Sequence, residues 1–217
     1  MITGERVSAY INSLYPGSGG FLEKLEEEAR AAHVPVIRRE TQSLLRFLIA
    51  SHRPRNILEV GTAVGFSALF MSAYASGDCR IVTIENNDRR ISEARKNFAR
   101  AGAEDRITLL EGDAMEVLES LDGSYDLIFI DAAKGQYPGY FPRVMKVLEE
   151  GGLLVSDNVL QGGEIMESRF AVERRNRTIH ARMREYLYVL THHEELTTSI
   201  LPVGDGVTVS VRTGKNA

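Results

Sequence analysis

Cysteine is almost missing from this chain: Cys79 stands alone among 217 residues. A single thiol excludes an internal disulfide framework and a cysteine-held metal cluster, and it leaves Cys79 a packing role near the start of a strand. Long apolar runs are missing too. No stretch approaches the length of a membrane span, and residues 1–6 lack the apolar core of a signal peptide, so no membrane partner and a cytoplasmic location are expected. Positive charge is not in excess, with 26 lysines and arginines against 30 acids and a net charge of -4. That balance argues against indiscriminate nucleic-acid binding but leaves room for a local basic stripe. None of the five histidines has a companion at metal-ligand spacing. His192 and His193 are adjacent, so on a helix they point different ways and read as surface residues. There is no internal repeat, low-complexity tract or linker. Residues 1–217 therefore read as one domain, with a helical segment over 1–52 and an α/β core over 56–217.

What is present is organised around residues 57–67, ILEVGTAVGFS, where a short apolar run meets Gly61 and Gly65 and then an apolar, helix-forming stretch. This reads as strand, tight loop, helix. Such a loop leaves backbone N–H groups and the positive end of the helix dipole open to a ligand, which the glycines let approach closely. The dinucleotide fingerprint wants G-x-G-x-x-G. The spacing here is G-x-x-x-G with Glu59 inside the strand, which favours S-adenosylmethionine over NAD.

Upstream, helices are predicted over 5–15 (Val7, Ile11 and Leu14 at helical spacing), over 21–32 (Leu22, Leu25, Ala29), and through Leu44, Leu45 and Leu48. Pro16, the glycines that follow it and Pro35 separate them. Downstream, strands over 57–60, 80–85, 106–110, 126–131 and 153–157 alternate with helices over 65–75, 88–101, 114–121 and 137–148 and a long helix over 169–191. Strands apolar on both faces imply burial between helix layers and a mainly parallel sheet. Residues 196–211 read instead as a closing β-hairpin. The expected class is α/β, a Rossmann-like sheet with a C-terminal antiparallel hairpin, helices on both faces and extra N-terminal helices.

In an open parallel sheet, ligands bind beyond the carboxyl ends of the strands, so polar residues there carry most weight. Glu59 lies in the first strand, Glu85 ends the second, Asp113 follows the third, Asp131 ends the fourth, and Asp157 with Asn158 ends the fifth. The Glu85 carboxylate can accept from both ribose hydroxyls of a nucleoside, and Asp113 can receive an adenine amino group. Each acid alone also reads as a loop or helix-cap residue; all of them together exceed capping. Asp131, Asp157 and Asn158 offer only oxygen, which suits Mg²⁺ or another hard divalent cation. Lys134 follows Asp131 by three residues. Beside a dication its pKa would fall and it could act as a general base, while a solvated or carboxylate-paired lysine is the plainer reading.

The strings ILEVGTAVGFS, TIE, EGDA, FIDAAKGQY and SDNVL resemble the class I, cation-dependent O-methyltransferases of the catechol type, over about residues 30–211. Within that family the chain is most similar to the bacterial tRNA 5-hydroxyuridine methyltransferases, through HVPVI, GTAVGFSA, IDAAKGQY, DNVL, the arginine-rich stretch and LPVGDG at 201–206. The resemblance implies a class I methyltransferase sheet and S-adenosylmethionine held by Glu59, Gly61, Ser67, Glu85, Asp113, Ala114 and Asp131, with Ile37 packing over it. It implies a metal on Asp131, Asp157 and Asn158, Lys134 as the base that takes the acceptor proton, and a homodimer. One departure stands out: the catechol enzymes carry a bulky His-Trp pair between the metal aspartate and the lysine, where this chain has Ala132 and Ala133. The alanines suit a roomier site. In 5-hydroxyuridine the ring hydroxyl and adjacent carbonyl form a chelating pair like that of a catechol, so the metal logic fits both tRNA and small vicinal diphenols. A non-catalytic nucleoside-binding regulator is the reading of another class, and Lys134 beside a complete Asp-Asp-Asn set counts against it.

Residues 169–184 hold Arg169, Arg174, Arg175, Arg177, Arg182 and Arg184 against the single acid Glu173, and Ile179, Met183, Tyr186 and Leu190 form an opposing apolar stripe. The pattern predicts an amphipathic helix with one basic surface. Arg174, Arg175 and Arg182 would then track tRNA phosphates; a solvated or subunit-facing helix is the alternative.

Overall fold

The computed structural model describes residues 4–214; residues 1–3 and 215–217, the ends of the expected 1–217 unit, lie outside the described residues. Three helices come first: α1 (Glu5–Leu14), α2 (Gly20–Ala31) and α3 (Arg39–His52). The alternating core follows as β1 (Asn56–Val60), α4 (Phe66–Tyr74), β2 (Arg80–Glu85), α5 (Asp88–Ala101), β3 (Ile107–Glu111), α6 (Ala114–Ser120) and β4 (Tyr125–Ile130). It closes with α7 (Tyr137–Val147), β5 (Leu148–Ser156), α8 (Arg177–His192), β6 (Leu196–Leu201) and β7 (Val207–Arg212).

The strands form one sheet in the order β3-β2-β1-β4-β5-β7-β6. The first five are mutually parallel, and β7 runs antiparallel to both β5 and β6. The expected mainly parallel sheet with a closing hairpin is therefore observed. The central strands β1, β4 and β5 are mostly apolar because both faces are covered. Ile57, Leu127, Phe129 and Val155 pack into one core with residues of α2, α3 and α4. Their neighbours Leu58, Val60, Ile128, Ile130 and Leu154 pack into a second core with residues of α7 and α8. This is the two-residue alternation of a strand with a helical layer on each side. Cys79 is buried just before β2.

The chain runs outward from β1 through β2 to β3 and then returns to lay β4 on the other side of β1. That switch leaves a crevice at the strand ends. Its geometry is tight: the amides of Gly61 and Thr62 both donate to the Ile84 carbonyl at 3.1 Å, and the Asp131 amide donates to Val60 at 3.0 Å. Where local cap signals are strong the sequence-predicted boundaries hold. The Asn87 side chain accepts the Arg90 amide and Gly102 ends α5 in the left-handed region, so α5 spans 88–101 as expected.

Three expectations change. The helix expected from 169 begins only at Arg177, and residues 169–176 form turns instead. The Arg177 guanidinium donates to the carbonyls of Val172 and Phe170, and the Asn176 amide group donates to Glu164. These side-chain contacts satisfy the segment without an intrahelical ladder, and they place Arg174 and Arg175 on a turn. Strand β5 starts five residues early, at Leu148, because a register shift between its pairings with Tyr125 and Leu127 accommodates residues 149–152. Helix α1 forms where expected, but Val7, Tyr10, Ile11 and Leu14 face outward, from 51% to 66% exposed. Ser8 is buried and Asn12 donates to Glu40 of α3 at 3.0 Å, so α1 docks by its polar face. Helical spacing shows that a face is apolar; it does not say which way the face turns.

Gly61 has φ +105, and a Cβ there would run into the Asp131 carbonyl. Gly61→Ala is expected to destabilise the fold by about 2–4 kcal/mol, combining positive-φ strain with a backbone clash that cannot relax. Urea unfolding of the two proteins, read by circular dichroism, checks it.

Candidate active site

A cavity of about 720 Å³ opens at the switch, within the roughly 300–1,000 Å³ of small-molecule sites. Its lining includes Ile37, Gly61, Ser67, Glu85, Asp113, Ala114, Asp131, Lys134, Asp157 and Asn158. Residues as far apart in sequence as Ile37 and Asn158 thus meet in one crevice. Glu59 does not line it, and neither do Arg174, Arg175 or Arg182.

On the glycine-loop side, Gly65 caps α4 with φ +83 against the Phe98 ring. Three backbone amides hold Glu85: Ala63 donates to one carboxylate oxygen at 2.9 Å, and Asn86 and Asn87 donate to the other at 3.1 Å. The carboxylate keeps further lone pairs for hydroxyls of a ligand. Asp113 caps α6 by accepting the Met115 amide at 2.8 Å, and Ala114 follows it as the first residue of that helix. One Asp113 oxygen is thereby committed to the helix. Ile37, 3% exposed, comes from the segment before α3 and contributes to the lining.

Glu59 lies in β1, fully buried. Its carboxylate accepts the Thr83 hydroxyl at 2.5 Å, and Thr83 meets Thr62 at 2.6 Å. Burial pushes the Glu59 carboxyl up to about 8, against the opposing pull of the Ser67 and Thr83 hydroxyls, with the Asp131 and Glu85 charges adding to the rise. One oxygen, Oε1, is buried without a hydrogen-bond partner. It lies beneath Ser67, which lines the cavity.

Across the crevice, Asp157 is 1% exposed, and burial pushes its carboxyl up to about 7, with the Asp131 charge adding to the rise. Burial also raises Asp131, which Lys134 partly offsets. Asn158 follows in the left-handed region, φ 58, and its amide donates to Asp157 at 2.7 Å. Among the described residues no group of three histidines, cysteines or acids could hold a metal; the oxygen set is two acids and an amide. A buried and a half-buried carboxylate that repel each other, beside a neutral oxygen donor, fit a hard divalent ion. The buried Tyr137 hydroxyl donates to the Asp157 carbonyl at 3.1 Å and reaches the Ile130 carbonyl at 3.3 Å, tying the ends of β4 and β5.

Lys134 Nζ lies 3.8 Å from Asp205 Oδ2, so it is carboxylate-paired. Asp205 also lines the cavity, as do Arg38, Asn86, Arg90, Gln136 and Tyr140, none of which was singled out from sequence. Asn86 and Arg90 could have been, because they lie just past the end of β2. Arg38 and Asp205 carry no such signal; they arrive from the N-terminal segment and the closing hairpin.

The arginines do not make one track. Arg182 donates to the Gly135 carbonyl at 2.8 Å and Arg184 to Ile165 at 3.2 Å, while Arg175 pairs with Glu173 at 2.7 Å on the turn and Arg174 is exposed. The expected stripe of Met183, Tyr186 and Leu190 is buried, joined by His180, while Ile179 is half-buried. His192 is exposed and stacks on Tyr188. His193 is half-buried with its ring edge-on to Phe141, and so is not the surface residue expected.

A mainly parallel sheet of this order with a closing antiparallel hairpin, a glycine loop after β1 and an acid ending β2, is the architecture of the class I, S-adenosylmethionine-dependent methyltransferases. The model of the O-methyltransferase family matches residues 17–213. The chain belongs to that family and is an S-adenosylmethionine-dependent O-methyltransferase. It is 33% identical over 163 residues to a catechol O-methyltransferase of Mycobacterium tuberculosis, covering 74% of each chain. Among solved structures it is similar to a Staphylococcus aureus protein provisionally described as a caffeoyl-CoA O-methyltransferase, at TM-score 0.89 and 32% identity over 96% of this chain and all of that one. An SAH-bound Podospora anserina methyltransferase matches at TM-score 0.86 and 29% identity, over 96% of this chain and 94% of the other.

Glu59 makes the ligand-free fold sensitive to pH. Its folded pKa of about 8 exceeds the ordinary 4.5, so between those values the folded protein keeps a proton that the unfolded chain has released. Stability is then lost as pH rises, by up to about 1.4 kcal/mol per pH unit. Glu59→Gln, neutral and of equal size, is expected to flatten that decline between pH about 5 and 8, as read by urea unfolding at a series of pH values.

Proposed function

We propose that the chain methylates one of two neighbouring oxygens of its acceptor with the help of a divalent cation, and that the acceptor is 5-hydroxyuridine at the tRNA wobble position, giving 5-methoxyuridine. The observation that carries this reading is the convergence of Asp131, Asp157, Asn158 and Lys134 on the cavity that also holds the glycine loop and Glu85. Ile37, Gly61, Ser67, Glu85, Asp113, Ala114 and Asp131 would seat S-adenosylmethionine, with Glu59 acting through Ser67 from below. Asp131, Asp157 and Asn158 would hold Mg²⁺ or another hard divalent ion, which supplies Lewis acidity toward the two acceptor oxygens. Lys134, with Nζ in its neutral amine form, would take the acceptor hydroxyl's proton and become the ammonium. The acceptor oxygen, held in line, forms its bond to the methyl carbon as the carbon–sulfur bond breaks and its electron pair returns to sulfur.

Support for a bulky acceptor comes from Ala132 and Ala133, which leave the wall beside the acids low, and from the exposed Arg174 and Arg175. Small vicinal diphenols are the second reading, favoured by the relatives named catechol O-methyltransferase. A homodimer belongs to the same proposal, supported by the outward apolar face of α1, and light scattering on the purified protein reads it. A cytoplasmic location is proposed with it; no helix among the described residues is long and apolar enough to cross a membrane. The test is direct. Purified protein is given S-adenosylmethionine, Mg²⁺ and either tRNA carrying 5-hydroxyuridine or catechol, and products are resolved by mass spectrometry. Methylation of catechol alone would move the acceptor to the second reading, and methylation of neither would overturn both.

Two variants separate the roles. Asp157→Ala is expected to lower metal-stimulated turnover by at least about 100-fold while calorimetry finds S-adenosylmethionine binding within about threefold of wild type. Replacing Arg174 and Arg175 with Gln is expected to make the salt dependence of tRNA binding shallower by about 1 to 2 in log–log slope, leaving diphenol turnover unchanged. Arg182→Gln should do less, since its guanidinium is already engaged with Gly135.

A further inference from the structure

We propose that Asp205 is a positioning residue of this site: one carboxylate oxygen takes the Gly162 amide and the other pairs with Lys134 Nζ, so the closing hairpin aims the lysine at the acid pair. The inference rests on the reading of Lys134 as the base. Asp205 sits in the turn between β6 and β7, with a side chain only 13% exposed that lines the cavity. Its Oδ2 is 3.8 Å from Lys134 Nζ, and its Oδ1 accepts from the Gly162 amide.

The turn that carries Asp205 cannot slide. The Asp205 carbonyl accepts the Leu160 amide and the Gly206 carbonyl accepts the Val159 amide, each at 3.0 Å. Gly206 has φ +86, and a Cβ there would run into the Leu160 side chain. On the turn's other side, a Cβ at Gly204 would lie 3.1 Å from the Thr41 hydroxyl. The hairpin turn is thus stapled to the segment that begins at Asp157 and Asn158, and wedged against α3. Asp205 carries that fixed frame onto the flexible four-carbon stem of Lys134.

Magnitude separates positioning from stability. Lys134 is 33% exposed and the pair is long, so the pair adds little to folding. What the contact restricts is direction. Among the described residues Asp205 is the carboxylate that ion-pairs with Lys134, while Asp131 acts on it only through charge.

Asp205→Asn keeps an acceptor for the Gly162 amide but removes the charge, and Asp205→Ala removes both. Three measurements use them. In the cofactor-free protein, hydrogen exchange across 159–163 should quicken in Asp205→Ala and hold in Asp205→Asn. Trace acetic anhydride, read by peptide mass spectrometry, should label Lys134 at least about threefold faster in Asp205→Asn, as a released lysine reacts more readily. With whichever acceptor wild type methylates, kcat should fall about tenfold or more in Asp205→Asn while KM for S-adenosylmethionine stays within about twofold. That loss should vanish in a Lys134→Gln background, since the effect runs through the lysine. An equal loss with or without Lys134, or unchanged Lys134 labelling, would overturn the proposal. If wild type methylates neither acceptor, the functional reading falls, and labelling and exchange still decide whether Asp205 positions Lys134.

Discussion

The Gly61 backbone passes so close to the Asp131 carbonyl that no side chain fits between them. On one side of that contact the chain enters the loop that opens α4; on the other it leaves β4 toward Lys134. The contact exists because β1 and β4 are parallel neighbours at the switch point, with Val60 opposite Ile130. Every strand end that matters is referred to it. The Ile84 carbonyl ties β2 to the glycine loop, and the Asp157 amide donates to Ile130, bringing β5 into line. The distance between the cofactor half and the acid half of the crevice is therefore set by backbone, which deforms far less readily than side chains.

Acids are concentrated where the sheet is driest. Burial raises Glu59, Asp131 and Asp157; the Asp131 charge adds to the rise of Glu59 and of Asp157, while Lys134 partly offsets that of Asp131. In isolation such an arrangement opposes folding, because each group must keep a proton or sit unneutralised in a low-dielectric interior. A cationic ligand beside them reverses the balance, and the same low dielectric then strengthens its attraction.

The surface follows a different logic. Arginines that look like a continuous basic face in the sequence are divided among backbone carbonyls, a glutamate and solvent. A guanidinium that donates to a carbonyl fixes a loop, and its charge remains while its hydrogen-bonding geometry is spent. Arg182 holds the Lys134–Gln136 turn in this way. The basic stretch thus acts partly as scaffold for the crevice wall, and its freely exposed charge lies on the turn before α8.

The sequence by itself determined the alternation of strands and helices, the glycine loop and the acids at the strand ends, because each of these is a local matter. Period-two burial, cap residues and strand-end position are all readable within a few residues, and Glu85, Asp113, Asp131, Asp157 and Asn158 fell where that reading placed them. Glu59 was legible as an acid inside a strand, but its threonine partners and missing second partner were not. Only the tertiary structure decided that α1 turns its apolar face outward, that α8 starts at Arg177, and that Asp205 and Arg38 enter the site. Those outcomes depend on which surfaces meet after the chain has doubled back. Asp205 and Lys134 are 71 residues apart, joined by a hairpin that lies on β5, and no local pattern encodes that approach.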